Sequence, residues 1–126
     1  SMSIDVEHPP PRDLPGFGAS EPVTVCDLVN HARRQFAPMT ALRWKEHRDA
    51  AWQSWTFRDY FAAVESFSRA LIAVGCVSRD VINIIGFNSP EWMVAHVGSI
   101  LAGVVPAGIY TTSSPDICHY VASFSQ

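Results

Sequence analysis

The feature that most constrains this chain is a junction that occurs twice. Ser89-Pro90-Glu91 returns as Ser114-Pro115-Asp116, each time just after an apolar, β-branched run. In both, the serine hydroxyl can accept from a first-turn amide, and proline suits the first helical position because its ring presets φ where no hydrogen bond is lost. The acid then faces the positive end of the helix. Two strands in succession that each run into a capped helix predict consecutive βα units on a parallel sheet, and so an α/β fold.

Residues 92–115 contain no Asp, Glu, Lys or Arg, and a membrane span needs about 20 such residues. Gly103, Pro106 and Gly108 interrupt the run, and His96 lies inside it. Its first half has helical spacing and its second half is strand-like, so a buried helix from Trp92 to Leu101 followed by a buried strand is expected instead of a span. Val81 to Phe87 and Val104 to Tyr110 are too uniformly apolar for half-wet strands. Both are expected to be central, joined by a right-handed crossover.

Upstream, Thr24 with Asp27 and Thr56 with Asp59 each have the spacing of a capping box. The first should open a helix with Val25, Leu28, Val29, Ala32 and Phe36 on one face, ending at Pro38. The second should open a long helix whose stripe is Phe57, Tyr60, Phe61, Val64, Phe67, Leu71 and Ile72, with Val74 near the end and Gly75 as left-handed stop. Between them, Leu42 and Trp44 alternate with Arg43 and Lys45. A polar turn at Glu46 to Asp49 leads into Ala51 to Trp55, which predicts a hairpin with one wet face. The last helix, from Ser114, carries Ile117, Tyr120, Val121 and Phe124 on one face.

Residues 1–22 hold five of the nine prolines, including Pro9-Pro10-Pro11, and read as an extended leader. Residues 23–126 form the folded part. With two parallel strands and a last helix that has no stop signal, this part reads as an incomplete α/β domain.

The search for chemistry mostly excludes. The net charge is −3 and the nine Lys and Arg are scattered, apart from Arg33-Arg34, so no cationic field suits a nucleic acid. Trp44, Trp52, Trp55 and Trp92 read as core and hairpin aromatics, since Arg43 and Lys45 are too few to make a base-stacking groove. Cys26, Cys76 and Cys118 form no CxxC pair and are odd in number, and they read as reduced, buried, intracellular thiols. The five histidines occupy five segments without the i, i+4 spacing of a helical metal pair. His96 reads as a hydrogen-bonded core histidine.

Gly16-Phe17-Gly18 follows prolines and not a strand, and no GxxxxGK[ST] motif is present,. The run Tyr110-Thr111-Thr112-Ser113-Ser114 links a strand to a helix start, where phosphate can bind. It has no glycine for close approach and no lysine, and Asp116 already places negative charge there, so capping is its expected role. No nucleophile elbow occurs.

Several of these motifs carry a resemblance. The tryptophan-bearing hairpin, Trp55-Thr56-Phe57, Ala73-Val74-Gly75, Arg79-Asp80-Val81 and Asn88-Ser89-Pro90-Glu91-Trp92 resemble the adenylate-forming acyl-CoA synthetase superfamily over about residues 23–126. Gly86 to Trp92 followed by Gly108 to Pro115 is most similar to the bubblegum-type long-chain fatty acid–CoA ligases. The resemblance implies the N-terminal α/β part of an enzyme that uses ATP and magnesium to form an acyl-adenylate, then passes the acyl group to coenzyme A. A carboxylate donates its acyl group poorly until its oxygen belongs to a good leaving group, which adenylation supplies.

In that family the glycine-rich phosphate loop, the adenine and magnesium motifs, the hinge and the catalytic lysine lie downstream of the matched region. The resemblance therefore assigns no catalytic, cofactor-binding or metal-binding residue here, and the chain alone is expected to be inactive, with no cofactor of its own. Relatives usually carry Gly-Asp where this chain has Arg79-Asp80. If strand ends rim a ligand cleft, as in open α/β sheets, Phe87, Asn88, Tyr110 and Thr111 are the best-placed residues. Expected partners are a fatty acid, ATP and coenzyme A. The first residues lack the basic and apolar regions of a secretory signal, which predicts a cytoplasmic protein, with room for peripheral attachment to a membrane. The competing readings are a related ligase acting on another carboxylic acid and a small non-enzymatic α/β binding module.

Overall fold

A computed structural model describes residues 21–124; the leader expected over residues 1–22 lies almost entirely outside them. The element order is α1 (Val25–Gln35), β1 (Thr40–Trp44), β2 (Gln53–Thr56), α2 (Phe57–Ala73), β3 (Val81–Ile85), α3 (Pro90–Leu101), β4 (Val105–Ile109) and α4 (Pro115–Phe124). Strands β1 and β2 pair antiparallel, with Leu42 opposite Trp55 and an irregularity between Thr40 and Leu42. Strands β3 and β4 pair parallel in a separate sheet, from Val81 opposite Val105 to Ile85 opposite Ile109.

Both capping boxes form as their spacing predicts. Asp27 N–H donates to Thr24 Oγ1 at 3.1 Å and Thr24 N–H to Asp27 Oδ2 at 3.0 Å. The corresponding bonds between Thr56 and Asp59 are 3.2 and 3.1 Å. These bonds hold both carboxyls below the usual range, because each accepts from the hydroxyl and the amide of its cap,. Ser89 Oγ accepts from Trp92 N–H at 3.2 Å and Ser114 Oγ from Ile117 N–H at 3.4 Å, so both repeated junctions cap their helices.

The core lies where α2 crosses α3, with α1 and the hairpin against it. Tyr60, Phe61, Val64 and Val94 are buried there, flanked by Val29, Ala32, Leu42, Trp55, Phe67, Val97 and Leu101. Full burial of an aliphatic side chain such as Val64 is worth about 1.5–3 kcal/mol. The helices meet at Gly98: an added Cβ would sit 2.9 Å from Phe67 Cδ1 and 3.0 Å from the Val64 carbonyl oxygen. Burial raises the Tyr60 hydroxyl pKa, and that hydroxyl donates to the Met93 carbonyl at 3.4 Å.

Several expectations need correction. Strands β3 and β4 are not central: among the described residues they form a two-stranded sheet, with Ile85 and Val105 exposed. Their apolar pattern suits two covered faces, but burial depends on what packs alongside and not on the strand itself. Val25 and Leu28 on α1, and Ile72 and Val74 at the end of α2, are exposed too. Cys26, Cys76 and Cys118 are free but only half-buried. The expected strands also shorten, to Val81–Ile85 and Val105–Ile109.

Two left-handed residues fasten the turn before β3. Gly103, with φ 77°, ends α3, and Arg79 adopts the same φ of 77° without being glycine. Arg79 N–H donates to the Gly103 carbonyl at 2.9 Å, and Asp80 Oδ2 accepts from Val77 N–H at 2.8 Å. Position 79 is therefore one whose backbone favours glycine,.

Candidate functional site

Because β3 and β4 run parallel and in register, their C-terminal ends open side by side. Chain leaving Ile85 passes through Gly86, Phe87 and Asn88 before α3, and chain leaving Ile109 passes through Tyr110 and Thr111 before α4. These segments line a cleft of about 440 Å³ with Gly108 and Trp92. All four residues expected to rim a cleft, Phe87, Asn88, Tyr110 and Thr111, meet there. Phe87 is 82% exposed and Tyr110 84%, so both rings stand free at the mouth.

Trp92 forms part of the wall and was read from sequence only as a core aromatic. It occupies the first turn of α3, its amide held by the Ser89 hydroxyl. The indole lies across the ends of both strands: a Cβ on Gly86 would be 3.7 Å from Cδ1, and one on Gly108 3.9 Å from Cζ2. The two residues without side chains therefore leave the indole face open to the cleft. A glycine just past the end of β3 and another one residue before the end of β4, next to a tryptophan in the first turn of α3, are the signal that would have found it.

Behind Trp92, His96 stacks on the indole with ring centroids 5.1 Å apart and planes 11° from parallel. It is half-buried and makes this stack in place of the hydrogen bond expected of a core histidine, because the i, i+4 spacing brings the rings together along α3,.

No charged side chain lines this cleft. It offers a flat aromatic surface, an amide at Asn88 and hydroxyls at Tyr110 and Thr111, groups that position a ligand by stacking and hydrogen bonds. Ser113 N–H bonds to the Tyr110 carbonyl at 3.0 Å, so the serine and threonine run turns back on itself as it enters α4. Among the described residues no group of three or more His, Cys, Asp or Glu could hold a metal ion, and no carboxylate lines this cleft.

Comparison with known proteins gives three kinds of similarity. A model of the family described as AMP-binding enzyme matches residues 29–126. The chain is 34% identical over 110 residues to the long-chain-fatty-acid–CoA ligase ACSBG2 of Gallus gallus, covering 87% of this chain and 14% of that protein. It is 37% identical over 106 residues to ACSBG2 of Rattus norvegicus, covering 84% and 16%. Among solved structures, the N-terminal subdomain of Klebsiella oxytoca NpsA superposes with a TM-score of 0.69 at 19% identity, over 80% of this chain and 25% of that one. That likeness shows the fold: an α/β arrangement shared with N-terminal subdomains of adenylate-forming enzymes. The chain thus spans about one-seventh of the length of the curated relatives it matches.

Proposed function

We propose, from the premise that the chain belongs to the AMP-binding enzyme family, that it is an N-terminal part of a long-chain fatty acid–CoA ligase. The observation that carries this reading is the identity of 34% to a ligase of that specificity over 87% of the chain. The parent reaction would join a fatty acid, ATP and coenzyme A into acyl-CoA, AMP and pyrophosphate through an acyl-adenylate. Residues 23–126 would be an incomplete N-terminal domain following a leader at 1–22.

Within that reading this chain supplies framework and one wall of a cleft. Residues 1–126 contain no glycine-rich phosphate loop, and no step through magnesium is derived from them. Phe87, Asn88, Trp92, Tyr110 and Thr111 would orient a ligand by stacking and hydrogen bonding, without proton transfer. No helix among the described residues is long and apolar enough to cross a membrane. A cytoplasmic location with peripheral attachment is part of the proposal.

ATP–pyrophosphate exchange tests it. The purified 126-residue chain should show no fatty-acid-dependent exchange, whereas a polypeptide that continues into the phosphate loop and lysine should show it, with long-chain acids preferred over aryl and short-chain acids. Exchange by the chain alone, or preference of the longer polypeptide for a different acid class, would overturn the reading.

A further inference from the structure

We propose that the solvent face of the β1–β2 hairpin docks on an anionic lipid bilayer. Trp52 lies just before β2 with its side chain 60% exposed. Two cations lie over its ring, Arg43 Cζ at 5.2 Å and Lys45 Nζ at 5.3 Å from the centroid. Strand alternation places Arg43 and Lys45 opposite Leu42 and Trp44. The inner face is taken by the Trp44–Trp55 pair, with ring centroids 5.4 Å apart, and by Leu42 against the core. The outer aromatic and its cations thus have no role in the core.

The turn supports the same orientation. Lys45 Nζ donates to the Arg48 carbonyl at 3.2 Å, and Gln53 Nε2 donates to Glu46 Oε1 at 2.8 Å, tying the two arms together. Between residues 43 and 53 stand Arg43, Lys45 and Arg48 against Glu46 and Asp49, a formal +1 in a chain of −3. Among the described residues the ribbon is two-stranded, with no third strand to wall a groove around Trp52, so an acidic peptide would find no concave seat there. A bilayer surface asks for a flat patch: indole at headgroup depth, long cationic stems reaching phosphate and serine carboxylate. The proposal rests on the peripheral attachment named above and gives it a surface; its evidence is the hairpin, so vesicle binding can fail while the ligase reading, tested by pyrophosphate exchange, stands.

The test is sedimentation of the 126-residue chain with phosphatidylcholine vesicles and with vesicles that also contain phosphatidylserine. Binding should be about fivefold tighter to the anionic vesicles at low salt, the effect of one net charge, although the chain as a whole is negative. High salt should remove the difference. The R43Q/K45Q variant takes away two cations and should weaken binding to anionic vesicles by roughly 30-fold, and W52A should weaken binding to both kinds. Circular dichroism melts check that these exposed substitutions leave the fold intact. Equal binding to both vesicle types would overturn the proposal. So would anionic binding unchanged in R43Q/K45Q, which would point instead to the exposed aromatic residues of α4.

Discussion

Gly98→Ala tests how the α2–α3 contact is built, because two opposing effects act at one residue. In an unpacked helix interior, replacing glycine by alanine stabilises by about 1 kcal/mol, since the backbone has less freedom to lose. At Gly98 the new methyl would sit 2.9 Å from Phe67 Cδ1 and 3.0 Å from the Val64 carbonyl oxygen, where ordinary contact begins at 3.4 Å. The ring can rotate a little, but the carbonyl belongs to the backbone of α2, so the helices must separate by roughly half an ångström. Overpacking of this kind costs about 1–3 kcal/mol, and a backbone obstacle places it in the upper part of that range.

The net expectation is a loss of roughly 1–2 kcal/mol, at about 4–8 °C of melting temperature per kcal/mol for a domain of this size. Calorimetry or circular dichroism melts of the full chain would measure it. In a double-mutant cycle, Phe67→Leu should offset part of the Gly98→Ala loss, because the nearest atom is removed. A Gly98→Ala protein that melts at or above the parent temperature would refute the close-contact reasoning.

Arg79→Gly should stabilise by roughly 0.5–1 kcal/mol, as relief of left-handed strain exceeds the extra freedom of glycine in the unfolded chain; a lower urea midpoint would contradict this. Tyr60, with its pKa raised by burial, contributes stability that is complete below the unfolded tyrosine value of about 10 and is lost as pH rises through the folded value. Tyr60→Phe should remove that alkaline loss, seen as a flatter stability curve at high pH. Asp27 and Asp59 have lowered values, so their contribution is present above the ordinary 3.8 and fades as pH falls through the folded pKa,. Asp59→Asn should make acid unfolding begin from a lower baseline with a shallower slope, followed by fluorescence.

Helix starts were the most legible part of the chain because a cap is a contact between residues three apart, and Thr24–Asp27 and Thr56–Asp59 carry both partners in the local sequence,. The stops at Gly75 and Gly103 follow similarly from left-handed φ values of 97° and 77°. Burial was less legible, since it depends on partners distant along the chain. Leu71 and Ile72 lie on the same helical stripe as Val64, yet Val64 is sealed by α3 while Ile72 is exposed. The cleft residues Phe87, Asn88, Tyr110 and Thr111 could be chosen because parallel strands present their C-terminal ends together,. Trp92 was missed because an aromatic at the start of an apolar helix has the same local signature whether it faces core or cleft. Only the placement of Gly86 and Gly108 against the indole, from two separate strands, distinguishes the two. The positive φ of Arg79 was not legible, because that residue is held by a bond to the Gly103 carbonyl that no local pattern contains.

The two-stranded parallel sheet has a consequence for solvent deuterium. Val105 N–H points inward to the Asp80 carbonyl, so by alternation Ala107 and Ile109 also turn their amide protons toward β3, while Gly108 turns its own outward. Val105, Ala107 and Ile109 should therefore exchange slowly and Gly108 at the rate of a loop, Pro106 having no amide proton,. Any polypeptide that pairs with the outer edge would show itself by slowing Gly108.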